Sequence, residues 1–313
     1  MSISNSHTGG IFVEMRTLAG SQLTVSALSM GTANFGTGIS QEQAFAHMDR
    51  YVELGGNFLD TAHAYSDWIP GEKHRSEKII GRWFTSRRPD SVVLCTKGGH
   101  YNFDAPQISR VTPEELRRDL EESLDCLQTD HIDLYMLHRD HPTLPVDEIM
   151  DCLDEFVRSG RVRYLACSNW TAHRTAQANA YACAHGKSPF IVNELMWSMA
   201  AVNRAGIPDD YIVMDEEMMR LGCESGVSFM CYTALAHGYF TLRFAGLPLA
   251  DSLHQTYDNP HNEQLFAQLR SLPDRAAVTR ESLRYFARQE VIAIPIVSFS
   301  SMVQLEECMR AFA

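Results

Sequence analysis

Four side chains able to move a proton lie at or near the ends of apolar runs in the first half of the sequence. Asp60 ends "NFLD", Lys97 ends "SVVLCTK", His138 ends "IDLYMLH", and Tyr65 follows Asp60 after one short loop. A phenol titrates near pH 10, which makes it a weak acid-base catalyst at neutral pH. Because a nearby ammonium favours phenolate, we expect Lys97 to lower the pKa of Tyr65.

Asp60 and His138 complete the chemistry that this set suggests. A buried ammonium without a partner tends to lose its proton, so Asp60 would keep Lys97 charged. His138 would donate a hydrogen bond to an oxygen in the same pocket. The four residues contain no strong nucleophile, but they suit proton delivery to an oxygen atom while a hydride arrives from another group.

Other interpretations of the same residues stay open at this point. Asp60 and Lys97 could be a structural ion pair, with His138 a core histidine and Tyr65 a loop aromatic. A metal site could use His138 with Asp140 and His141 of "HRDH", as in a barrel hydrolase, but no second carboxylate-histidine pair is evident. We therefore predict no metal in the catalytic site.

The elements that must position these residues alternate regularly along the chain. Eight apolar runs are typical of buried parallel strands: 25–32, 57–62, 91–97, 132–138, 162–168, 190–195, 227–233 and 291–298. Amphipathic stretches separate them. Eight strand-helix repeats in 313 residues predict an α/β fold of the (β/α)8 TIM-barrel type, in one domain that spans residues 1–313.

Two helices have recognisable ends in the sequence. In "TPEELRRDLEESLDCL" Thr112 is the predicted N-cap, and Glu115 would complete a capping box. In "SQEQAFAHMDRYVELG" Ser40 is the predicted N-cap and Gly55 the stop.

Three further segments bear on the shape of the barrel. The stretch "MRTLAGSQL" predicts an N-terminal β-hairpin with Gly20 in its turn, which would plug the bottom of the barrel. The connections 199–209 and 239–260 are unusually long, and long loops after barrel strands commonly close over ligands.

Catalytic groups of this fold lie at the carboxyl ends of the strands, so polar residues at the ends of the apolar runs are candidates. They are Thr32, Asp60, Lys97, His138, Ser168, Asn169, Glu194, Thr233 and Ser298. Any one of them could merely cap the next helix. The sequence contains neither a G-x-G-x-x-G turn after a strand nor a P-loop, so a nucleotide would need another mode of binding.

Composition excludes several classes of function. The formal net charge is -12 and basic residues do not cluster, which argues against nucleic acid as a partner. No apolar stretch reaches the roughly 18 residues of a membrane span, and "MSISNSHTGG" lacks the order of a signal peptide, so we expect a cytoplasmic protein. Its eight cysteines form no C-x-x-C pair, which predicts neither disulfides nor a zinc site.

Several motifs resemble the aldo-keto reductase family. "GGNFLDTAHAY" is similar to the signature around its catalytic aspartate and tyrosine, "SEKIIGRW" to the continuation of that signature, "LCTKGG" to its lysine strand, and "IDLYMLHRD" to its histidine strand. "LACSNW" and "CYTALAHGYF" resemble two strand ends that bind the cofactor. The motifs occur in the right order, and the resemblance extends over most of the chain.

The resemblance implies a barrel that binds a nicotinamide cofactor across the strand ends and reduces aldehydes or ketones, or oxidises the alcohols. Asp60, Tyr65, Lys97 and His138 would be the catalytic tetrad, with Tyr65 as the proton donor. The implied cofactor contacts are Gly31, Thr32, Asp60, Ser168, Asn169, Glu194, Tyr232, Thr233, Leu235, Gly238, Ser298, Ser300, Gln304, Glu307 and Cys308. Among these, Ser168 and Asn169 would hold the carboxamide, Tyr232 would stack on the nicotinamide, and Glu307 and Cys308 would lie near adenine.

Two positions depart from the family pattern. Glu194 stands where a glutamine is usual, so its carboxyl is either protonated or accepts the carboxamide N–H. Ser298, Ser300 and Gln304 stand where basic residues commonly grip the 2′-phosphate of NADPH, and such groups bind a dianion less strongly than arginine does. NADPH remains the expected cofactor, with NADH as the alternative.

Four aromatic residues in loops above the strand ends could form a substrate pocket: Phe35, Trp68, Tyr101 and Trp197. The expected partner is a small carbonyl compound or alcohol. A second functional class is a regulatory subunit that binds cofactor on the same barrel with slow turnover or none.

Overall fold

The structure is a computed structural model, which describes residues 13–87, 89 and 91–313. The segment "MSISNSHTGG", on which the signal-peptide prediction rests, lies outside the described residues. A short antiparallel hairpin comes first, made of β1 (Met15–Thr17) and β2 (Thr24–Ser26). Gly20 in its turn has a φ of +73°, which a side chain would disfavour.

Eight parallel strands then close into a barrel, which confirms the predicted fold. They are β3 (Ser29–Gly31), β4 (Phe58–Asp60), β5 (Val93–Gly98), β6 (Ile132–Leu137), β7 (Val162–Ser168), β8 (Phe190–Met196), β9 (Ser228–Tyr232) and β10 (Ala293–Val297). β10 pairs with β3 and closes the ring. All eight predicted runs overlap a barrel strand, with β5 and β8 each ending one residue beyond the predicted run, but the run 25–32 merged the end of β2 with β3.

Helices surround the barrel. They are α1 (Gln41–Glu53), α2 (Arg75–Arg87), α3 (Pro113–Leu127), α4 (Val146–Arg158), α5 (Ala172–Ala184), α6 (Glu216–Ser225), α7 (Tyr239–Phe244), α8 (Asp251–Tyr257), α9 (Pro260–Leu269), α10 (Arg275–Ala287) and α11 (Met302–Met309). Among the described helices, none combines the length and the apolarity that a bilayer span requires.

The predicted caps are largely confirmed. Ser40 caps α1 and forms a capping box with Gln43, and Gly55 follows the helix with a φ of +88°. Thr112 caps α3 by accepting from the backbone N–H of Glu115. The capping box predicted with Glu115 is wrong, because that carboxylate turns to Arg110 at 2.7 Å instead.

Two cores hold the barrel together. Inward-facing side chains such as Phe58, Leu134 and Met230 fill its interior, and the hairpin side chains Leu18 and Val25 pack against them. The hairpin therefore plugs the bottom of the barrel, as predicted. A larger cluster lies between the strands and the surrounding helices.

The connection 239–260 is not an open loop, in contrast to the prediction. It folds as α7 and α8 and continues into α9, and the apolar side chains of these helices build a third cluster around Tyr239, Phe240 and Tyr257. The connection 199–209 contains only a 3-10 turn at Arg204–Gly206.

Candidate active site

The carboxyl ends of β4 and β5 bring a buried lysine to the hydroxyl of Tyr65. Lys97 is fully buried. Its ammonium donates to Asp60 Oδ1 at 2.5 Å, to the Tyr65 hydroxyl at 2.9 Å and to the carbonyl oxygen of Thr61 at 3.1 Å. Three donors thus meet three acceptors, which is what a buried ammonium requires.

The loop between β4 and α2 fixes the position of Tyr65. Ser66 adopts a φ of +71°, and its hydroxyl donates to the carbonyl oxygen of Phe35 at 2.8 Å. Arg75 donates to the carbonyl oxygen of Ser66 at 3.1 Å. The contacts of the adjacent Ser66 therefore fix the backbone next to Tyr65. Tyr65 itself stays partly exposed at the barrel mouth.

The charges around Tyr65 do not lower its pKa. Burial, followed by the Asp60 carboxylate, raises the pKa of Tyr65 well above its usual range, and the opposing effect of Lys97 is smaller. Burial also disfavours the Lys97 ammonium, but Asp60 and Glu194 outweigh it, and the pKa of Lys97 is well above its usual range. The expectation of an acidified phenol is wrong for the ligand-free protein, where Tyr65 is a protonated hydrogen-bond donor to Asp60 Oδ2 at 3.3 Å.

Glu194 adds a second buried carboxyl to this cluster. Its Oε2 lies 3.4 Å from Lys97 Nζ, and only 3 % of the residue is exposed. Burial and then the Asp60 carboxylate raise the pKa of Glu194 to about 8. At pH 7 the group is therefore mostly the neutral acid, which can donate a hydrogen bond as an amide does.

Ser168 is the last residue of β7 and pairs in register with Glu194 of β8, and Asn169 follows it. Asn169 has a φ of +58°, and its amide nitrogen donates to Ser168 Oγ at 3.1 Å. Its carbonyl oxygen accepts from the Tyr232 hydroxyl at 2.7 Å. This bond fixes Tyr232 at the end of β9, with its ring beside the barrel mouth.

The ring of His138 lies edge-on to the ring of Tyr65. The two ring centroids are 5.7 Å apart, and the ring of His100 lies 4.6 Å from that of His138. Burial, then the neighbouring His100 and Lys97, lower the pKa of His138 well below its usual range, so the imidazole is neutral. Its buried Nδ1 has no protein hydrogen-bond partner among the described residues.

A groove of about 750 Å³ runs from Tyr65 and Asp60 across the strand ends. Most of the predicted cofactor residues line it: Gly31, Tyr232, Thr233, Leu235, Gly238, Ser298, Ser300, Gln304 and Glu307. A Cβ atom at Gly31 would lie 2.9 Å from both Ile296 Cγ2 and Ser298 Oγ, so the glycine keeps the floor of the groove open.

Other predicted contacts are buried residues that are not among those lining the groove. Thr32 is fully buried and its hydroxyl donates to the carbonyl oxygen of Asp60 at 2.9 Å. Ser168, Asn169 and Glu194 are also buried. Cys308 packs fully buried in the core between barrel and helices, so its prediction as a contact of the adenine is wrong.

The groove also contains residues that the sequence patterns did not indicate. They are His237 and Thr241 near α7, and Arg275 and Thr279 on α10. Arg275 is an exposed cation at the first turn of a helix. It lies far along the chain from the strand ends and at the end of no apolar run, so the pattern of strand-end residues could not reveal it.

The four predicted pocket aromatics divide into two pairs. Trp68 and Tyr101 line a second depression of about 710 Å³, together with His100 and Phe103, which the sequence patterns did not indicate. The predictions for Phe35 and Trp197 are wrong, because both are core residues. Trp197 packs edge-on against Phe286 with 5.6 Å between ring centroids.

The alternative metal site at His138, Asp140 and His141 is not assembled. Asp140 accepts from Arg174 at 3.3 Å, and His141 Nδ1 lies 3.2 Å from the carbonyl oxygen of Val111. Among the described residues these three do not form a cluster that could hold a metal ion, and the His138 ring lies against Tyr65 and His100.

The sequence is similar to known proteins. A model of the Aldo/keto reductase family matches residues 27–313. Norsolorinic acid reductase B of Aspergillus parasiticus is 31% identical over 232 residues, which cover 70% of this chain and 56% of that protein. Norsolorinic acid reductase stcV of Emericella nidulans is 29% identical over 306 residues, which cover 91% of this chain and 73% of that protein.

A further relative has a broader name. Aldo-keto reductase ausK of Aspergillus calidoustus is 28% identical over 314 aligned residues, which cover 94% of this chain and 75% of that protein. Across the relatives compared, this chain spans from about half to three quarters of their length. The family model covers most of the chain and the barrel has the matching topology, so the chain belongs to the aldo/keto reductase family.

Proposed function

We propose that this protein is a nicotinamide-dependent oxidoreductase that reduces an aldehyde or ketone to an alcohol, or catalyses the reverse reaction. One observation carries the proposal: the Tyr65 hydroxyl lies 2.9 Å from a buried Lys97 ammonium that is itself paired with Asp60, beside a groove of about 750 Å³.

Tyr65 is the proposed proton donor. In the ligand-free protein its hydroxyl is protonated, which is the form that reduction requires. When the proton passes to the substrate oxygen, the phenolate left behind accepts from the Lys97 ammonium at the existing short distance. Asp60 keeps that ammonium charged throughout. Neutral His138 is directed at the same space and orients the carbonyl oxygen by a hydrogen bond.

The groove residues fit a nicotinamide cofactor. When bound, the nicotinamide supplies the hydride. The aromatic ring of Tyr232 offers a flat surface on which the nicotinamide ring would stack. The Tyr232 hydroxyl donates to Asn169 Oδ1, and this hydrogen bond holds the Tyr232 ring in place. Ser168, Asn169 and the protonated Glu194 offer the polar atoms for a carboxamide, and Glu194 Oε2 has no hydrogen-bond partner among the described residues. Thr233, Leu235 and Gly238 line the part proposed for the pyrophosphate.

We propose NADPH as the preferred cofactor. Ser298, Ser300 and Gln304 offer only neutral groups near the far end of the groove. Arg275 adds the strong cation that these positions lack, and a guanidinium can bind a phosphate in a bidentate manner. This residue supports selection of the 2′-phosphate over the free hydroxyl of NADH.

An aromatic carbonyl compound is the proposed substrate class. Trp68 and Phe103 meet edge-on with 6.0 Å between ring centroids, beside Tyr65 and His100. Two relatives are named norsolorinic acid reductases, which supports a carbonyl compound as the substrate class of this protein.

Turnover assays test this proposal. Purified protein is mixed with NADPH or NADH and a panel of aromatic and aliphatic aldehydes and ketones, and oxidation is followed at the absorbance of the reduced cofactor. Carbonyl-dependent oxidation is expected. Tight cofactor binding without turnover across the panel would instead favour the regulatory subunit.

We further propose that residues 1–313 form one barrel domain. In the part of the chain that the structure describes, the hairpin packs into the barrel interior, α11 packs into the core around the barrel, and the strands contribute to both, which supports this. The eight free thiols, five of them buried, suit a reducing compartment such as the cytoplasm.

A further inference from the structure

Three side chains outside the proposed reaction converge beside the loop that carries Tyr65. His63 follows β4, His74 immediately precedes α2, and Glu122 lies on α3. Glu122 Oε2 lies 2.8 Å from His63 Nε2 and 3.7 Å from His74 Nε2. All three potential ligand atoms lie within 4.8 Å of one another, and the two imidazole rings lie with centroids 3.9 Å apart and an interplanar angle of 31°.

The hydrogen bonds of His74 place a lone pair in the centre of this cluster. His74 Nδ1 lies 2.7 Å from the carbonyl oxygen of His63, which can only accept, so Nδ1 carries the proton. In the neutral ring Nε2 then presents its lone pair to Glu122 Oε2. Two acceptors facing each other at 3.7 Å are stabilised by a cation between them.

His63 has a matching arrangement on its other nitrogen. Its Nδ1 lies 3.9 Å from Oδ1 of the fully buried Asp119. Asp119 is fixed by Arg110 and by the backbone N–H of Gly99 at 2.8 Å. When Nε2 binds a metal, the proton moves to Nδ1 and faces Asp119. A carboxylate or carbonyl behind each metal-bound histidine is the usual support for such ligands.

The nearby cations have other partners. Arg118 and Arg110 pair with Glu115, and Lys73 lies 3.9 Å from Asp67. Among the described residues, the Glu122 carboxylate pairs with the two imidazoles. The negative charge of Glu122 is therefore not neutralised by a lysine or arginine in this cluster. The Glu122 side chain is 45 % exposed, so an ion and a water ligand can enter from the second depression.

We propose that His63, His74 and Glu122 bind a divalent transition-metal ion with zinc-like preferences. Two imidazole nitrogens and one carboxylate oxygen with an open fourth position suit Zn²⁺ or Co²⁺ better than Mg²⁺ or Ca²⁺, which prefer oxygen ligands. The three ligands come from three segments. The bound ion therefore ties the loop of Tyr65 to α3 and serves as a structural clamp rather than as part of the reaction.

The test measures Zn²⁺ binding to untagged, chelator-stripped protein by competition with a chromophoric chelator. Exposed Cys183 and Cys223 are alkylated first to remove adventitious thiol sites. The variants are His74→Asn, since asparagine tolerates the φ of +58° at this position, and Glu122→Gln. His173→Asn replaces an exposed histidine on α5 as the matched control.

We expect the native protein and the His173→Asn control to bind one Zn²⁺ and both site variants to bind it at least about tenfold more weakly. Zinc should raise the melting temperature of the native protein by more than that of the variants. Co²⁺ should give a visible absorption band that both site variants lose. Equal affinity in all four proteins would mean adventitious binding only and would overturn the proposal, as would the absence of stoichiometric binding. Activity is not a readout, so this outcome is independent of the proposed reductase function.

Discussion

The two ends of the groove use charge in opposite ways. At one end Asp60, Lys97 and Glu194 are 1 %, 0 % and 3 % exposed, so their interactions are strong and the geometry is rigid. At the other end Ser298 and Arg275 are exposed, and solvent and salt weaken what they contribute. The buried end should therefore control both catalysis and stability, whereas the exposed end should control cofactor affinity alone.

Lys97→Met should give the largest effect, since it leaves the Asp60 carboxylate buried without its cation. Loss of one partner of a buried pair costs about 3–5 kcal/mol of unfolding free energy. Loss of the charge beside Tyr65 should lower kcat by about 10²–10⁴-fold. Urea unfolding and steady-state kinetics measure the two effects.

The double variant Asp60→Asn with Lys97→Met separates these effects. It removes both charges, so much of the stability should return while the activity stays low. If Lys97→Met alone left both stability and kcat near their native values, the buried end would not have the role given to it here.

Glu194→Gln should change how stability depends on pH. The pKa of Glu194 rises from 4.5 to about 8 on folding, so the folded state holds its proton more tightly than the unfolded state does. Its stabilising contribution is complete below about pH 4.5 and is lost as the pH rises to about 8. In that window the native protein should lose up to about 1.4 kcal/mol per pH unit relative to the variant.

Glu77→Gln is the matched control for this prediction. Glu77 is another fully buried carboxyl with a pKa raised by burial to about 8, but its partner is the Thr96 hydroxyl rather than the Lys97 ammonium. Both variants should flatten the pH dependence of stability, whereas only Glu194→Gln should change the affinity for nicotinamide cofactors. Parallel pH profiles for native protein and Glu194→Gln would contradict a neutral Glu194.

Arg275→Gln should weaken NADPH binding by about tenfold, because one charge-assisted contact to phosphate is worth about 1.5–3 kcal/mol and this one is exposed. NADH affinity should change by less than about twofold. Quenching of tryptophan fluorescence measures both dissociation constants. Arg270→Gln, an exposed arginine outside the groove, should change neither. An equal loss for both cofactors would exclude a contact with the 2′-phosphate.

Trp68→Ala should give the smallest effect. An aromatic contact at a side chain that is 43 % exposed contributes about 0.5–1.5 kcal/mol, so KM for aromatic aldehydes should rise about twofold to tenfold. An aliphatic aldehyde serves as the matched substrate and should show little change. If both KM values rise together, Trp68 shapes the loop rather than the substrate site.

Much of the fold could be predicted because its pattern is repetitive. Eight apolar runs alternate with amphipathic helices, and each run overlaps a barrel strand. The sequence pattern does not locate strand boundaries where two strands adjoin. Val25, for example, pairs with Arg16 in the hairpin instead of entering the barrel. The helices within 239–260 were missed because each is short, and they become stable through contacts with one another.

The site was predictable where a residue ends a strand. Asp60 and Lys97 meet because parallel strands end at one edge, and Tyr65 joins them because it follows Asp60 after one short loop. Burial was not predictable for isolated loop aromatics, so Trp68 and Trp197 could not be told apart. The predicted direction of the Tyr65 pKa shift is also wrong. That direction depends on the burial of the Tyr65 phenol next to the carboxyl groups of Asp60 and Glu194, which the sequence does not reveal.

The activity of Tyr65→Phe tests the central claim most directly, because this change removes one hydroxyl and leaves the ring. The account predicts that kcat for carbonyl reduction falls by at least about 10²-fold, while the dissociation constant for NADPH stays within about twofold of the native value. Turnover near the native rate would show that another group delivers the proton and would contradict the account.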